Sequence, residues 1–221
     1  MVKQRLRLRF EKRGEISLIS HHDLMRLFER AARRAGLPIA MTEGFNPRPR
    51  MSFPLALGVG VEALREIVEM DLSEWVHPTE VQQRLNGQLP AGLRMIECRA
   101  ISPRDTAQVD SVVYEIELPT PLPPDFTPEA LLQATELPVL RTREDRQKEM
   151  DIRPYLLDIR GAGQKWMVSL RVTPSGSVRP EEVVTILERV SVVKISGARI
   201  TRTHVNIAAG AEGLRRLQRR T

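Results

Sequence analysis

The chain has 221 residues, enough for one large domain or two small ones, and at 41% hydrophobic and 28% charged it has the make-up of a globular protein rather than a fibrous or disordered one. No apolar run approaches the roughly 18 residues of a membrane helix, MVKQRLRLRF lacks the continuous apolar stretch of a signal peptide, and the single Cys98 excludes an internal disulfide and an all-cysteine metal site. Net charge is +6, and up to Gly60 twelve bases face five acids, so the N-terminal third carries the whole excess while the remainder sums to −1. A cytoplasmic protein with an anionic partner and no membrane contact is expected.

In KQRLRLRF, Leu6, Leu8 and Phe10 alternate with Lys3, Arg5, Arg7 and Arg9, the period of a strand with one buried face and a cationic face opposite. A turn at Arg13 and Gly14 leads to a helix. Ser20 caps it with Asp23 three residues on, Leu24, Leu27, Phe28, Ala31, Ala32 and Ala35 form its apolar stripe, and Gly36 with Pro38 ends it. Arg26, Arg30, Arg33 and Arg34 occupy the faces that this stripe leaves free.

Pro47 and Pro49 fix two backbone angles in GFNPRPRMSF and push the residues before them toward extended geometry, which predicts a stiff rod presenting Arg48 and Arg50 on one side. PLALGVGVE and EIVEMDLS read as strands, HPTEVQQRLNG as a helix with Pro78 in its first turn, and LRMIECRAI as a closing strand. The order strand, helix, strand, strand, helix, strand is that of a ferredoxin-like α+β unit with an antiparallel sheet, here spanning residues 1–103.

Beyond SPRDTAQVD the pattern begins again over residues 110–207. SVVYEIEL reads as a strand, TPEALLQAT as a short helix, YLLDIR and KWMVSLRV as a hairpin around GAGQ, RPEEVVTILERV as a second helix and ARITRTHVNI as a last strand. RTREDRQKEMDIRP reads as an exposed loop or short helix, and residues 208–221, with Arg215, Arg216, Arg219 and Arg220, as a basic tail. Two tandem ferredoxin-like units are expected.

Candidate nucleic-acid contacts are Arg5, Arg7, Arg9, Arg26, Arg30, Asn46, Arg48 and Arg50, taken as one landing zone for a polyanion, with Asp151 and Arg153 as a further contact from the second unit. Phe45 and Phe53 bracket the arginines and could stack on bases as readily as pack in a core. His21 and His22, beside Asp23, sit in a first helical turn where the dipole favours neutral imidazole, so either is a candidate base. Neighbouring histidines on a helix diverge by about 100°, so no metal site is expected. No nucleotide loop, serine triad or zinc spacing is present, no cofactor is expected, and Cys98 reads as an inert buried thiol.

SLISHHDLMRLFERAARRAGLPIAMTEGFNPRPRMSFPLALGVGVEA, followed by EIVEMDL and later KEMDIRP, resembles the DUF2344 family, also called radical SAM-linked proteins. The resemblance implies a domain encoded beside, or fused to, a cobalamin-binding radical SAM protein. Such an enzyme needs three cysteines for its cluster, and this chain has one. The expectation is therefore a noncatalytic RNA-binding or substrate-presenting partner of a radical SAM protein, acting in ribosomal or transfer RNA modification. The alternatives are a metal-independent ribonuclease or RNA-modifying enzyme using His21 or His22 with Arg48 or Arg50, and a protein-only adaptor.

Overall fold

The computed structural model describes residues 2–143 and 146–208; the basic tail with Arg215, Arg216, Arg219 and Arg220 lies outside them. The chain is α+β, with four α-helices and mostly antiparallel sheet among the described residues. It divides into two compact units, one running to Val109 and rejoined by the chain at Ile207, the other Asp110–Asn206. Among the described residues no helix is long and apolar enough to cross a membrane.

In the first unit, β1 (Gln4–Lys12) is central, β2 (Met51–Ser52) and β3 (Glu62–Leu72) lie to one side, and β4 (Leu93–Ile101) to the other, in the order β4–β1–β3–β2 with every pair antiparallel. Leu6, Leu8 and Phe10 are buried together with Leu24, Phe28, Ala31 and Ala32 of α1 (His21–Arg34) and Val81 and Leu85 of α2 (Pro78–Asn86). Both helices therefore cover the same face of the sheet, and burial of these side chains, each contributing about 1.5–3 kcal/mol, fixes that choice. The cap of α1 forms as the sequence predicts: Ser20 Oγ accepts from the Asp23 N–H at 3.1 Å and donates to Asp23 Oδ2 at 2.7 Å.

Two readings of this unit need correction. PLALGVGVE is not a strand: Leu57 and Val61 are buried anchors, but Gly60 turns with φ +79° and donates its N–H to Ser17 O at 2.9 Å, which carries the backbone off the sheet. The strand before β3 is instead the two-residue β2. The GFNPRPR segment is not a free rod either, because the chain from Ile39 to Arg50 folds back on itself, with Ile39 bridging Leu72 and Met41 bridging Pro49.

The second unit places β5 (Val109–Glu117) between β9 (Lys165–Thr173) and β11 (Arg199–Ile207), with β8 (Leu156–Ala162) and the short β10 (Gly176–Ser177) pairing β9. Alternating Val112, Tyr114 and Ile116 of β5 and Trp166, Val168 and Leu170 of β9 are buried. The β8–β9 turn needs glycine at 161, where an added Cβ would lie 2.2 Å from Lys165 O. Helix α4 (Pro180–Ser191) buries Val183, Ile186 and Leu187, and α3 (Glu129–Gln133) buries Leu131.

The charged segment expected as an exposed loop or short helix instead contributes to an antiparallel strand pair, β6 (Pro138–Arg143) with β7 (Arg146–Asp151). Lys148 and Glu149 are exposed on it, as the sequence predicts, while Arg141 and Asp151 act as anchors. Arg141 reaches Glu182 of α4 at 2.5 and 2.8 Å, a hydrogen bond that raises the pKa of this guanidinium above its ordinary value.

Candidate anion-recognition site

The register of the first unit decides which charges meet. Arg5 lies opposite Asp71 and Arg7 opposite Glu69 across β1–β3, while Ser52 lies opposite Glu69 across β2–β3. Just before β2, the Asp71 N–H donates to Arg50 O at 3.0 Å. Alternation then puts Arg5, Arg7, Arg50, Ser52, Glu69 and Asp71 on the face away from the helices, since the residues between them, Leu6, Met70 and Met51, belong to or pack against the core.

The cationic row of β1 is consequently not an open surface. Glu69 is buried and accepts from Arg7 Nε at 2.8 Å, Arg5 Nη2 at 2.9 Å and the Ala107 N–H at 3.0 Å, with Arg7 Nη2 in an ion-pair contact at 2.6 Å. The stretch following β4 thus lies over this carboxylate, and Arg7 is only 8% exposed. Arg9 donates to Arg65 O at 3.1 Å and sits 4.0 Å from Glu97; burial first, then the neighbouring Arg65, lowers its pKa from the ordinary value. Lys12 is buried and donates to Ser17 O. Sequence alternation identified the face correctly but not its acids, because strand pairing at a separation of some sixty residues is what supplies them.

The loop is held by its own backbone. Thr42 N–H donates to Arg48 O at 2.8 Å, Arg48 N–H donates to Thr42 Oγ1 at 2.9 Å, and Arg50 Nε donates to Met41 O at 3.2 Å. These bonds close an exposed tip, residues 43–47, that turns through Gly44 at φ +122°. Phe45 stands on that tip fully exposed, with Asn46 beside it, while Arg48 and Arg50 are exposed at its base. Phe53 has the opposite fate: its ring packs against Phe10 at 6.2 Å and Phe28 at 5.4 Å between centroids. One of the two candidate stacking residues is therefore core and the other is presented to solvent.

Below the loop a pocket of about 400 Å³ is lined by Arg5, Thr42, Arg50, Met51, Ser52, Glu69 and Asp71. Thr42, Ser52, Glu69 and Asp71 were absent from the sequence-derived candidates; the available signal was the spacing of Glu69 and Asp71 by two in a strand, matching Arg5 and Arg7 in another.

The remaining candidates divide. Arg26, Arg30, Arg33 and Arg34 are exposed on α1, on the helix-covered side of the sheet, so they and the β1 cations do not form one landing zone. Arg26 lies 4.0 Å from Asp23, and Arg34 donates to Gln88 O at 2.9 Å. His21 packs edge-on against Phe53, centroids 5.6 Å apart, and His22 is exposed. Asp151 and Arg153 act within their own unit: Asp151 Oδ1 accepts from the Leu137 N–H at 2.7 Å and the Arg153 N–H at 2.9 Å, and the Arg153 guanidinium donates to Leu156 O and Leu132 O. They stitch the end of β7 to α3 and β8. Cys98 is half-buried, and burial, then Glu97, pushes its thiol up to about 12. Among the described residues no group of three or more His, Cys, Asp or Glu could hold a metal ion.

The model of a family described as an uncharacterized protein conserved in bacteria (DUF2344) matches residues 5–184, which covers the whole site. No curated protein matches the sequence.

Proposed function

The chain belongs to the DUF2344 family, and from that membership together with the loop geometry we propose that it is a noncatalytic, cytoplasmic RNA-binding or substrate-presenting protein. The observation that carries this reading is Phe45, a fully exposed aromatic ring on a hydrogen-bonded tip whose base holds the exposed Arg48 and Arg50. A wholly solvated phenyl ring has no folding role. Stacking on an unpaired base while neighbouring guanidinium groups meet the flanking phosphates gives it one.

The structural reading that accompanies this proposal is two tandem ferredoxin-like units, supported by β4–β1–β3–β2 in the first and β11–β5–β9–β8 in the second. Sheets of that outline occur in several RNA-processing proteins, an analogy of fold and not of site. Partnership with a cobalamin-dependent radical SAM enzyme, in modifying ribosomal or transfer RNA, follows from the family resemblance. With one cysteine in this chain, the three that hold such a cluster would come from the partner.

The test is fluorescence anisotropy of a labelled single-stranded RNA with the wild type and Phe45→Ala. Stacking on one base corresponds to about 1–3 kcal/mol, so Phe45→Ala weakens binding by about fivefold to a hundredfold while the thermal midpoint stays put. Equal affinity of the two proteins removes the reading. Recovered RNA is intact if the protein is noncatalytic; cleavage that disappears in a His21→Ala, His22→Ala variant establishes the ribonuclease alternative instead.

A further inference from the structure

The pocket beneath the loop holds more hydrogen-bonding capacity than the fold uses. Glu69 is spent on Arg5, Arg7 and the Ala107 N–H. Asp71 is not: its side chain is 14% exposed, has Arg5 Nε 3.8 Å from Oδ1 and accepts no hydrogen bond among the described residues. Arg5 Nε is itself buried and has no hydrogen-bond acceptor among the described residues. Arg50, which lines the pocket, commits only Nε, to Met41 O, among the described residues, so both Nη groups are available, and the Thr42 hydroxyl, whose oxygen accepts from Arg48 N–H, still has its proton to give. Ser52 adds a second hydroxyl.

Unused donors thus surround one unused carboxylate in about 400 Å³, within the range of small-ligand pockets. A bare inorganic anion would satisfy Arg50 and the hydroxyls but meet repulsion from Asp71. A neutral sugar would satisfy Asp71 and leave the guanidinium groups unanswered. The lining asks for one molecule with an anionic group at one end and O–H or N–H donors at the other.

We infer that this pocket binds a phosphorylated ribonucleotide unit, its phosphate held by Arg50, Thr42 and Ser52 and its hydroxyl or amino donors by Asp71. Arginine and hydroxyl side chains are the usual partners of phosphate oxygens, and a carboxylate selects the ribose hydroxyls that inorganic phosphate lacks. This deepens the RNA reading and rests on it only for the source of the unit, a terminal nucleotide of an RNA or a free nucleotide.

Isothermal titration calorimetry of the full chain with each of the four ribonucleoside 5′-monophosphates, their nucleosides and inorganic phosphate tests it. At least one monophosphate is expected to bind at least tenfold tighter than both its nucleoside and inorganic phosphate. Arg50→Ala and Ser52→Ala weaken that binding, the first by at least tenfold. Asp71→Asn is the discriminating variant: with the repulsion gone, inorganic phosphate binds more tightly and the preference for the monophosphate shrinks to less than threefold. A purely structural Asp71 would not move that ratio, and thermal melts of each variant verify folding. Monophosphates that bind no better than inorganic phosphate, or an unchanged ratio in Asp71→Asn, overturn the inference. Single-stranded RNA bound normally alongside absent monophosphate binding sinks the pocket and leaves the RNA reading standing; monophosphate binding without RNA binding does the reverse. Comparing 5′-phosphorylated with 5′-hydroxyl RNA distinguishes the sources, a gain of at least fivefold from the phosphate indicating an RNA end and no gain indicating a free nucleotide.

Discussion

Replacing Glu69 by glutamine keeps the shape of the side chain and removes its charge from between two guanidinium groups. Arg7 then remains on the sheet with a 9% exposed side chain and no anion beside it, whereas Arg5, at 18%, still has Asp71 within 3.8 Å. Leaving a buried charge without its partner costs about 3–5 kcal/mol; because the glutamine carbonyl still accepts one of the lost hydrogen bonds, the lower end, about 3 kcal/mol, is expected. Urea unfolding followed by circular dichroism reads the change as a shift of midpoint at constant slope. Arg7→Met with Glu69→Leu removes both charges together, and this double variant recovers most of the loss, since apolar groups of similar volume often replace a buried pair without penalty. A loss below about 1 kcal/mol in Glu69→Gln, or additive losses in the double variant, refutes the claim that Glu69 exists to neutralise the sheet's arginines.

Cys98, with its thiol pushed up to about 12 from an ordinary 9.0, carries about a thousandfold less thiolate at pH 8 than an exposed cysteine, and its reaction with a disulfide reagent slows accordingly. Because burial raises this thiol's pKa, it contributes stability below pH 9 that is lost as the pH climbs from 9 toward 12, observable as a falling thermal midpoint in that window. Asp151→Ala deprives the Leu137 and Arg153 N–H groups of their shared acceptor and destabilises the second unit by about 1–3 kcal/mol in the same urea assay.

What could be read from sequence was what is local. The period of two in β1 predicts its buried apolar residues, Leu6, Leu8 and Phe10, the cap at Ser20 and the stripe through Leu24 and Phe28 predict α1, and LRMIECRAI coincides with β4. The misreadings are all long-range. PLALGVGVE has strand composition, yet the bond from Gly60 to Ser17 takes it elsewhere. RTREDRQKEMDIRP looks solvated by its charge, yet Arg141 is an anchor for α4 and Asp151 a backbone cap. The arginines of β1 look like a free cationic row because the acids that answer them lie some sixty residues away, at positions fixed only by the pairing of β1 with β3. Phe45 and Phe53 are equivalent as letters eight apart; the closure of the loop between Thr42 and Arg48 is what sends one outward while Phe53 joins the core.

The most direct measurement is the salt dependence of single-stranded RNA binding by the wild type and an Arg48→Ala, Arg50→Ala variant, since each phosphate neutralised on a single strand contributes about 0.7 to the slope of log affinity against log salt. Loss of two phosphate contacts makes the slope shallower by about 1.4, with weaker binding at every salt concentration. An identical slope in the two proteins, or no RNA binding by the wild type at low salt, contradicts the assignment of the loop as the polyanion contact.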